Sequence, residues 1–595
     1  MLFAADFETT TDENDCRVWA WGVCEIGNPD YFVYGTTMES FMEFMQTTEN
    51  STYYFHNARF DTDFIFCYLF EHGYKHVTDR KKEATKTFST LISKMGQYYS
   101  TKIVFEKNGK TTNYAKLYDS LKLFPNMSVD NVSQAFGLPL SKLKIDYKAY
   151  REVGHVLTDD EVEYLHHDVK IMALALEILF SQGLNKMTVG SNAMKDYKEI
   201  VGEKNFERWF PTPEYDSDIR RSYKGGFTFL NPLYREKDVG AGLVFDVNSL
   251  YPSVMRYSKL PYGNPVFFEG EYQKDDLYDL YVQRMVCMFE LKEGYIPTIQ
   301  IKKNLMFVPT EYLTSSNGEM VELYLTSVDL ELFKEHYNLY NVEYICGWKF
   351  KSTVGLFNEY IDKWTKVKID ADKTGNKAMR TIAKLMLNNL YGKFSLNPEV
   401  QSKIPYYDDG RIKYTLGEKE MREAVYIPVG TFITAWARYK TITNAQKLYD
   451  IFIYADTDSL HLDLELPPEL RKLSNKELAK LTKDDLIKAG VKLPADFEVD
   501  PYTLGAWKLE SRFTRARFIR QKCYMEDWNA PETWDSPDYN RDLLNVTCAG
   551  MPKDCHQYVT WDNFKVGTCY KGKLQPKHVR GGTILIETEF TIKPN

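Results

Sequence analysis

Two apolar runs, Ile451 to Tyr454 and Leu460 to Leu462, flank the segment Ala455-Asp456-Thr457-Asp458-Ser459. The pattern predicts two short strands joined tightly, with Asp456 and Asp458 at i and i+2 on one face. Carboxylates at that spacing repel unless a cation lies between them. The turn must therefore face a site and not a core.

Two further segments give that site its surroundings. Leu243-Val244-Phe245-Asp246-Val247 reads as a buried strand that runs into Asn248-Ser249-Leu250-Tyr251-Pro252, with a helix starting near Ser249. Residues 358–394 read as helical apart from a turn at Asp370 to Asn376. They carry Lys384, Asn388 and Tyr391 at i, i+4 and i+7, one stripe of a helix. A stripe ending in lysine is ordinarily a solvated face; between two aspartate motifs it predicts a phosphate-binding face. In this reading Asp246 and Asp458 hold two Mg²⁺ ions, Asp456 supports them, and the ions serve a hydroxyl attacking a triphosphate. Lys384 meets the phosphates, joined by Lys368 and Arg380. Tyr251 lies under the sugar and excludes a 2′-hydroxyl, the group that separates RNA from DNA substrates. Tyr391 and Asn388 line the base and sugar side.

A second acidic set occupies the N-terminal region. Leu2 to Ala5 and Tyr53-Tyr54-Phe55 read as strands, followed by Asp6-Phe7-Glu8-Thr9 and by His56-Asn57-Ala58-Arg59-Phe60-Asp61. Glu161 to Leu179 has helical periodicity with Thr158 as N-cap, which puts Tyr164 and Asp168 on one face. An Asp-x-Glu after a strand, or a Tyr-x3-Asp on a helix, is unremarkable alone. Asp6, Glu8, Asp61 and Asp168 with Tyr164, in this order and inside one domain-sized segment, are specific.

The 595 residues carry a net charge of −8, and aromatics reach 15%. Net charge is a poor guide, because clustered carboxylates lower it while basic stripes still bind phosphate. One such stripe is Lys508, Arg512, Arg515, Arg517, Arg520 and Lys522; another runs from Lys366 through Lys373 and Lys377 to Lys384. The nine cysteines include no C-x-x-C, which argues against structural zinc and against a disulfide framework. There is no signal-peptide pattern at Met1 and no apolar run of membrane-spanning length. A cytoplasmic, membrane-free protein is expected.

Together the two constellations resemble family B DNA polymerases, in that family's order. Tyr223-Lys224-Gly225-Gly226, Thr434-Ala435-Trp436-Ala437-Arg438 and Lys522-Cys523-Tyr524 narrow the resemblance to the protein-primed polymerases of small tailed bacteriophages, the phi twenty-nine type, over essentially the whole chain. The motif departs from the family at Cys523, where threonine is expected. The resemblance implies an α/β and α+β multidomain chain: an RNase H-like 3′–5′ exonuclease domain (1–187), followed by a right-hand polymerase with palm (188–257 and 429–547), fingers (356–395) and thumb (548–595). It implies two insertions, 258–355 toward a terminal protein and DNA, and 396–428 as a strand-displacement hairpin turning at Asp409-Gly410. In the exonuclease, Asp6, Glu8 and Asp168 would hold two ions, Asp61 would bind through water, Tyr164 would orient the attacking water and Lys142 would assist. Thr9, Tyr54, His56, Asn57, Phe60, Phe64, Ser120 and Leu121 would hold a single-stranded 3′ end. Val247 would join Asp246, Asp456 and Asp458 around the polymerase metals. Tyr223, Gly225, Gly226, Thr434, Arg438, Lys522 and Tyr524 would contact DNA, and Lys565, Lys571, Lys573, Lys577 and Arg580 would grip duplex phosphates. Implied partners are primer-template and single-stranded DNA, dNTPs and a terminal protein whose hydroxyl primes synthesis, with the chain a monomer in the infected host's cytoplasm and Mn²⁺ able to replace Mg²⁺. Residues 464–500 read as a helical surface insertion.

Three competing readings are weaker. A reverse transcriptase or RNA-making polymerase conflicts with Tyr251 and the exonuclease set. A stand-alone exonuclease conflicts with intact Asp246, Asp456, Asp458 and Lys384. A non-catalytic descendant conflicts with retention of every carboxylate, since unused clustered acids cost stability.

Overall fold

The computed structural model describes residues 1–301 and 311–594; the span 258–355 expected as a first insertion therefore falls partly, at 302–310, outside the described residues. The N-terminal unit is built on an eight-stranded mixed sheet. Strand Leu2–Thr9 pairs antiparallel with Val18–Glu25 and parallel with Ser51–Phe55, which runs parallel to Thr111–Asp119. Side-chain alternation decides what each face of the first strand does. Phe3, Ala5 and Phe7 share a core with Phe41, Met45 and Phe64. Ala4 falls in the core that contains Val169 and Met172 of helix Asp159–Ser181. Asp6 and Glu8 continue the Ala4 face, so the strand presents both carboxylates to the helix carrying Asp168. Thr158 caps that helix as expected, through a reciprocal box with Glu161.

The second sheet is five-stranded, in the order Trp507–Phe513, Gly242–Val247, Ser459–Asp463, Phe452–Asp456, Thr228–Leu230. Its register aligns Lys508, Asp246, Ser459, Asp456 and Thr228 in one row across the strands. Helices Asn358–Thr374 and Lys377–Asn389 form an antiparallel pair beside it. The helix is longer than the sequence suggests: it continues through Asp370 to Thr374 and stops at Gly375, whose φ of 68° only glycine adopts freely. Leu260–Glu269, Tyr337–Thr353, Leu280–Leu291 and Val321–Thr326 form a four-stranded sheet in that order.

Two two-stranded hairpins pack against the N-terminal unit. Glu399–Asp408 and Arg411–Met421 turn at Asp409-Gly410, both with positive φ (46° and 76°), as a two-residue hairpin turn requires. Cys569–Val579 and Gly582–Thr591 form the second, near the C-terminus. Residues 464–500 are short helices. Leu470, Leu478 and Leu486 are buried against the main core, and Phe497 stacks on Trp507 at 5.5 Å. No described helix is long and apolar enough to cross a membrane.

Candidate functional sites

In the N-terminal unit, one carboxylate oxygen each from Asp6, Glu8 and Asp168 lie within 4.8 Å of one another, the one such acidic or His/Cys group among the described residues. Burial, then Asp168, pushes Asp6 up to about 7; burial, then Asp6, holds Glu8 well above its usual value. Protein atoms crowd the Asp6 carboxyl from all sides even though part of the residue remains accessible. Asp61, in the first turn of helix Arg59–Glu71, is buried beside the triad but outside it, and burial raises its carboxyl as well. Lys142 Nζ donates to Asp168 Oδ2 at 2.7 Å, leaving Asp168 Oδ1 buried without a partner. Like charges with one orphaned oxygen are what a divalent-cation site looks like in protein atoms alone. Tyr164 is buried against this set, its hydroxyl 2.9 Å from that of Tyr147.

The second site lies along the row across the five-stranded sheet. Burial, then Asp458 and Glu510, pushes Asp246 up to about 7, and Lys508 Nζ stands 3.5 Å from its Oδ2. Burial raises Asp458 too. Asp456 is held from three sides: Lys522 Nζ at 3.1 Å, Thr228 Oγ1 at 3.1 Å and the Tyr454 hydroxyl at 3.2 Å. Tyr454 also accepts the Lys522 backbone N–H. The turn is strained, with Thr457 at φ 59°, as are Ser249 (52°) after Asp246 and Lys522 (55°). Gly226 is required by close approach, because a Cβ there would stand 2.6 Å from Thr457 Oγ1. Opposite, Arg380, Lys384 and Asn388 line an exposed helix stripe. Burial, then Arg380, Lys508 and Lys384, lowers the Lys368 ammonium; Asp372 only partly opposes this. Lys508 acts on both acids and, with Arg380 and Lys384, on Lys368, so a cluster of cations adjoins two carboxylates that resist ionisation, a cleft suited to a polyanion with divalent ions; Arg380 also pairs with Asp372 at 2.5 Å. Tyr251 stacks on Tyr391 at 4.1 Å beside it.

Several residues expected to touch DNA are engaged inside the protein. Phe64 is buried under the C-terminal hairpin, where a Cβ on Gly582 would meet its ring. Ser120 is fully buried and bonds Phe55 O and His56 Nδ1; His56 Nε2 is bonded to Met127 O, so both ring nitrogens are occupied. Burial lowers His56, keeping the ring neutral. Tyr54 packs between Tyr118 and Phe180. Thr434 is buried and bonds carbonyls of its own helix. Arg438 is 3% exposed, forks onto Asp329 at 2.7 and 2.9 Å, and donates to the carbonyls of Lys224 and Gly225. It braces the Tyr223–Gly226 loop from behind. The basic stripe is consumed likewise: Arg512 bonds the Leu470 and Arg471 carbonyls, Arg515 pairs with Asp527, Arg517 with Asp238, and Arg520 donates to Lys593 O. Lys577 pairs with Glu13 and Arg580 with Asp409 on exposed surface, where both cations stay open to phosphate. Long side chains next to carboxylates and helix-end carbonyls are captured whatever their sequence pattern suggests.

Thr9, Tyr54, His56, Asn57, Phe60, Leu121, Tyr223, Gly225, Gly226, Lys522 and Tyr524 keep accessible surface. Asn57 and Leu121 border a cavity of about 690 Å³ between the N-terminal unit and the helix pair, also lined by Arg59, Lys122, Gly392 and Lys393. Sequence reasoning missed Asp119, whose buried carboxylate accepts the Asn57 and Leu121 N–H groups and shapes that rim. Its signal was an aspartate ending a strand before Ser-Leu, the pattern of a turn cap. Glu510, an acid within a run of Lys and Arg, acts with Asp458 on Asp246, a relation that its cationic neighbours in the sequence mask.

Two outcomes follow from these environments. Replacing Arg438 with alanine leaves the Asp329 carboxylate buried and unpaired. It is expected to cost about 3–5 kcal/mol, read as a lower denaturant midpoint. A DNA-contact role would instead leave the midpoint in place and flatten the salt dependence of binding. For pH, the folded protein holds the Asp6 proton up to about 7 whereas the unfolded chain releases it near 3.8. The folded state therefore binds more protons between those values, and metal-free stability falls as pH rises through that window. Asp6→Asn should gain stability relative to the parent between pH 5 and pH 8 in chelator, a gain that added Mg²⁺ reduces. A constant difference across the window would contradict this environment.

The family described as DNA polymerase type B, organellar and viral, matches residues 151–476. A DNA polymerase of Bacillus phage B103 is 47% identical over all of this chain and 99% of its own length. Two solved structures share 44% identity with full coverage of both chains: phi29 DNA polymerase complexed with primer-template DNA and incoming nucleotide substrates, at a TM-score of 0.88, and the same polymerase complexed with single-stranded DNA, at 0.87.

Proposed function

Because this chain belongs to the organellar and viral type B DNA polymerases and is a DNA polymerase of the phi29 type, we propose that it copies a DNA template and edits the product on one polypeptide. The edit is a 3′–5′ exonuclease reaction. Synthesis is primed by a terminal protein, is processive and displaces the strand ahead, and replicates a linear phage genome. The observation that carries the polymerase reading is the row Lys508, Asp246, Ser459, Asp456, Thr228, with Asp458 in the adjoining turn and Lys508 linking the two acids to the cations Lys368, Arg380 and Lys384.

Asp246 and Asp458, with Val247 through its main chain, would hold divalent ions at the synthetic site; Asp6, Glu8 and Asp168 would do so at the editing site, with Asp61 behind them. Bound there, two ions supply charge neutralisation at the phosphoryl group and activation of the attacking oxygen. Mg²⁺ is the proposed metal, with Mn²⁺ a substitute. The rest belongs to this chain. Lys384, Arg380 and Lys368 hold the triphosphate. Tyr251, fixed by its stack on Tyr391, occupies the space under the sugar. Asp456, the supporting acid of that metal site, is bonded by Lys522, Thr228 and Tyr454 and so couples the primer-side Lys522 turn to the aspartate turn. At the editing site Lys142 neutralises Asp168, and Tyr147 fixes the Tyr164 hydroxyl, the group placed to orient water. The relative's single-strand complex and the cavity between the two units support passage of a frayed 3′ end from one site to the other.

The test is a 5′-labelled primer on a longer DNA template with Mg²⁺, with and without dNTPs, carrying a downstream blocking strand. Extension through the blocker with dNTPs and shortening without them is expected. Extension that halts at the blocker removes the strand-displacement part, and shortening alone removes the polymerase part.

A further inference from the structure

Asp63 lies two residues beyond Asp61 in helix Arg59–Glu71 and points away from the acidic triad's business: it is 2% exposed and belongs to neither site. Two distant segments end on it. The Tyr414 hydroxyl donates to Oδ1 at 2.5 Å, and the Thr583 hydroxyl donates to Oδ2 at 2.6 Å. His578 Nδ1 stands 3.1 Å from Oδ2 and 2.9 Å from the Thr583 hydroxyl. Tyr414 belongs to the hairpin at 399–421; His578 and Thr583 flank the turn of the C-terminal hairpin. The carboxylate is thus a shared acceptor for two hairpins separated from it by 351 and 520 residues.

The surroundings make this a seat and not a passing contact. Ile412 of one hairpin, and Val579 and Ile584 of the other, are buried in the core of the N-terminal unit. The C-terminal turn fits so closely that a Cβ on Gly581 would stand 2.5 Å from Cys16 O and one on Gly582 would stand 2.4 Å from the Phe64 ring. The two turns also touch each other, Gly581 N donating to Gly410 O at 3.0 Å. Outer ion pairs such as Arg580–Asp409 are about three-quarters exposed and add little. A two-stranded hairpin is marginal by itself, so docking decides where each one sits. Short hydrogen bonds from hydroxyls to a buried carboxylate are the strongest polar contacts available for this.

We propose that Asp63 is a latch residue that locks both hairpins onto the exonuclease unit and couples them, so that loosening one loosens the other. The inference rests on the polymerase reading for its consequence: duplex DNA held between the hairpins and the body is retained through successive additions only while the latch is shut. Asp63 acts through the hairpins and is a positioning residue. Its own replacement would bury two unpaired hydroxyls and threaten folding, so the test uses Tyr414→Phe, Thr583→Val and the double variant in the full chain.

Two measurements are made. Amide hydrogen exchange is followed in both hairpins, and product length per binding event is followed on primed single-stranded circles with a heparin trap. Thr583→Val is expected to speed exchange in 399–421, and Tyr414→Phe in 569–591, by about fivefold or more. The double variant should add less than the sum of the two because both hydroxyls share one acceptor. Product length should shorten several-fold, while single-nucleotide incorporation at enzyme excess stays at the parent rate. Exchange that rises only in the hairpin carrying the substitution overturns the coupling. Unchanged exchange in both overturns the latch. If the parent chain extends no primer, the polymerase reading fails, yet the exchange arm still decides whether Asp63 joins the hairpins.

Discussion

Asp246→Asn and Asp458→Asn, each alone, should lower primer extension by about 10³-fold or more and leave single-strand degradation at the parent level. The magnitude follows from removing one charged ligand at a site whose chemistry is electrostatic. Asparagine keeps the shape, so the fold should survive. Burial already strains Asp246 toward its neutral form, to a value of about 7, so the metal-free variant should be no less stable than the parent. Asp456→Asn tests the division of labour. Because Asp456 is engaged by Lys522, Thr228 and Tyr454, its loss should weaken primer-end binding as well as slow the chemistry, raising the primer concentration needed for half-maximal rate. Single-turnover extension with each variant checks all three. Synthesis at the parent rate by Asp458→Asn would refute the assignment of the site.

The second large effect lies at the other site. Asp6→Ala combined with Glu8→Ala should reduce 3′-end degradation by about 10³-fold while extension continues, with misincorporated ends persisting. The two residues share one strand face and repel each other and Asp168. Their joint removal should therefore raise the thermal midpoint in chelator, and added Mg²⁺ should no longer shift it through this site. Lys142→Ala separates charge from ligation. It leaves Asp168 without its partner at 2.7 Å and should weaken editing more as pH falls, when the carboxylates take up protons more readily. Normal editing by the Asp6, Glu8 double variant would place the nuclease elsewhere in the chain.

What could be read without coordinates has a common character. Asp6 with Glu8, Tyr164 with Asp168, Lys384 with Asn388, and Asp456 with Asp458 are pairs whose relation is set by the period of one helix or one strand. Turns such as Asp409-Gly410 and caps such as Thr158 are equally local. So the residue sequence by itself determined which carboxylates share a face, where the tight turns fall and which chemistry two acidic groups of this kind can serve.

Tertiary structure alone decided which polar groups remain free. Arg438 and Arg515 look like their neighbours in the chain, yet one is spent on Asp329, 109 residues away, and the other on Asp527. Phe64 and Phe60 share a motif, but only Phe64 is roofed by Gly582. Asp63 carries no local mark at all; its role exists because residues 351 and 520 positions away end on it. The physical reason is range. Backbone periodicity acts over a few residues and is written in spacing, whereas desolvation and ion pairing depend on whatever the fold brings within a few ångströms, and that proximity has no signature in the order of neighbouring residues.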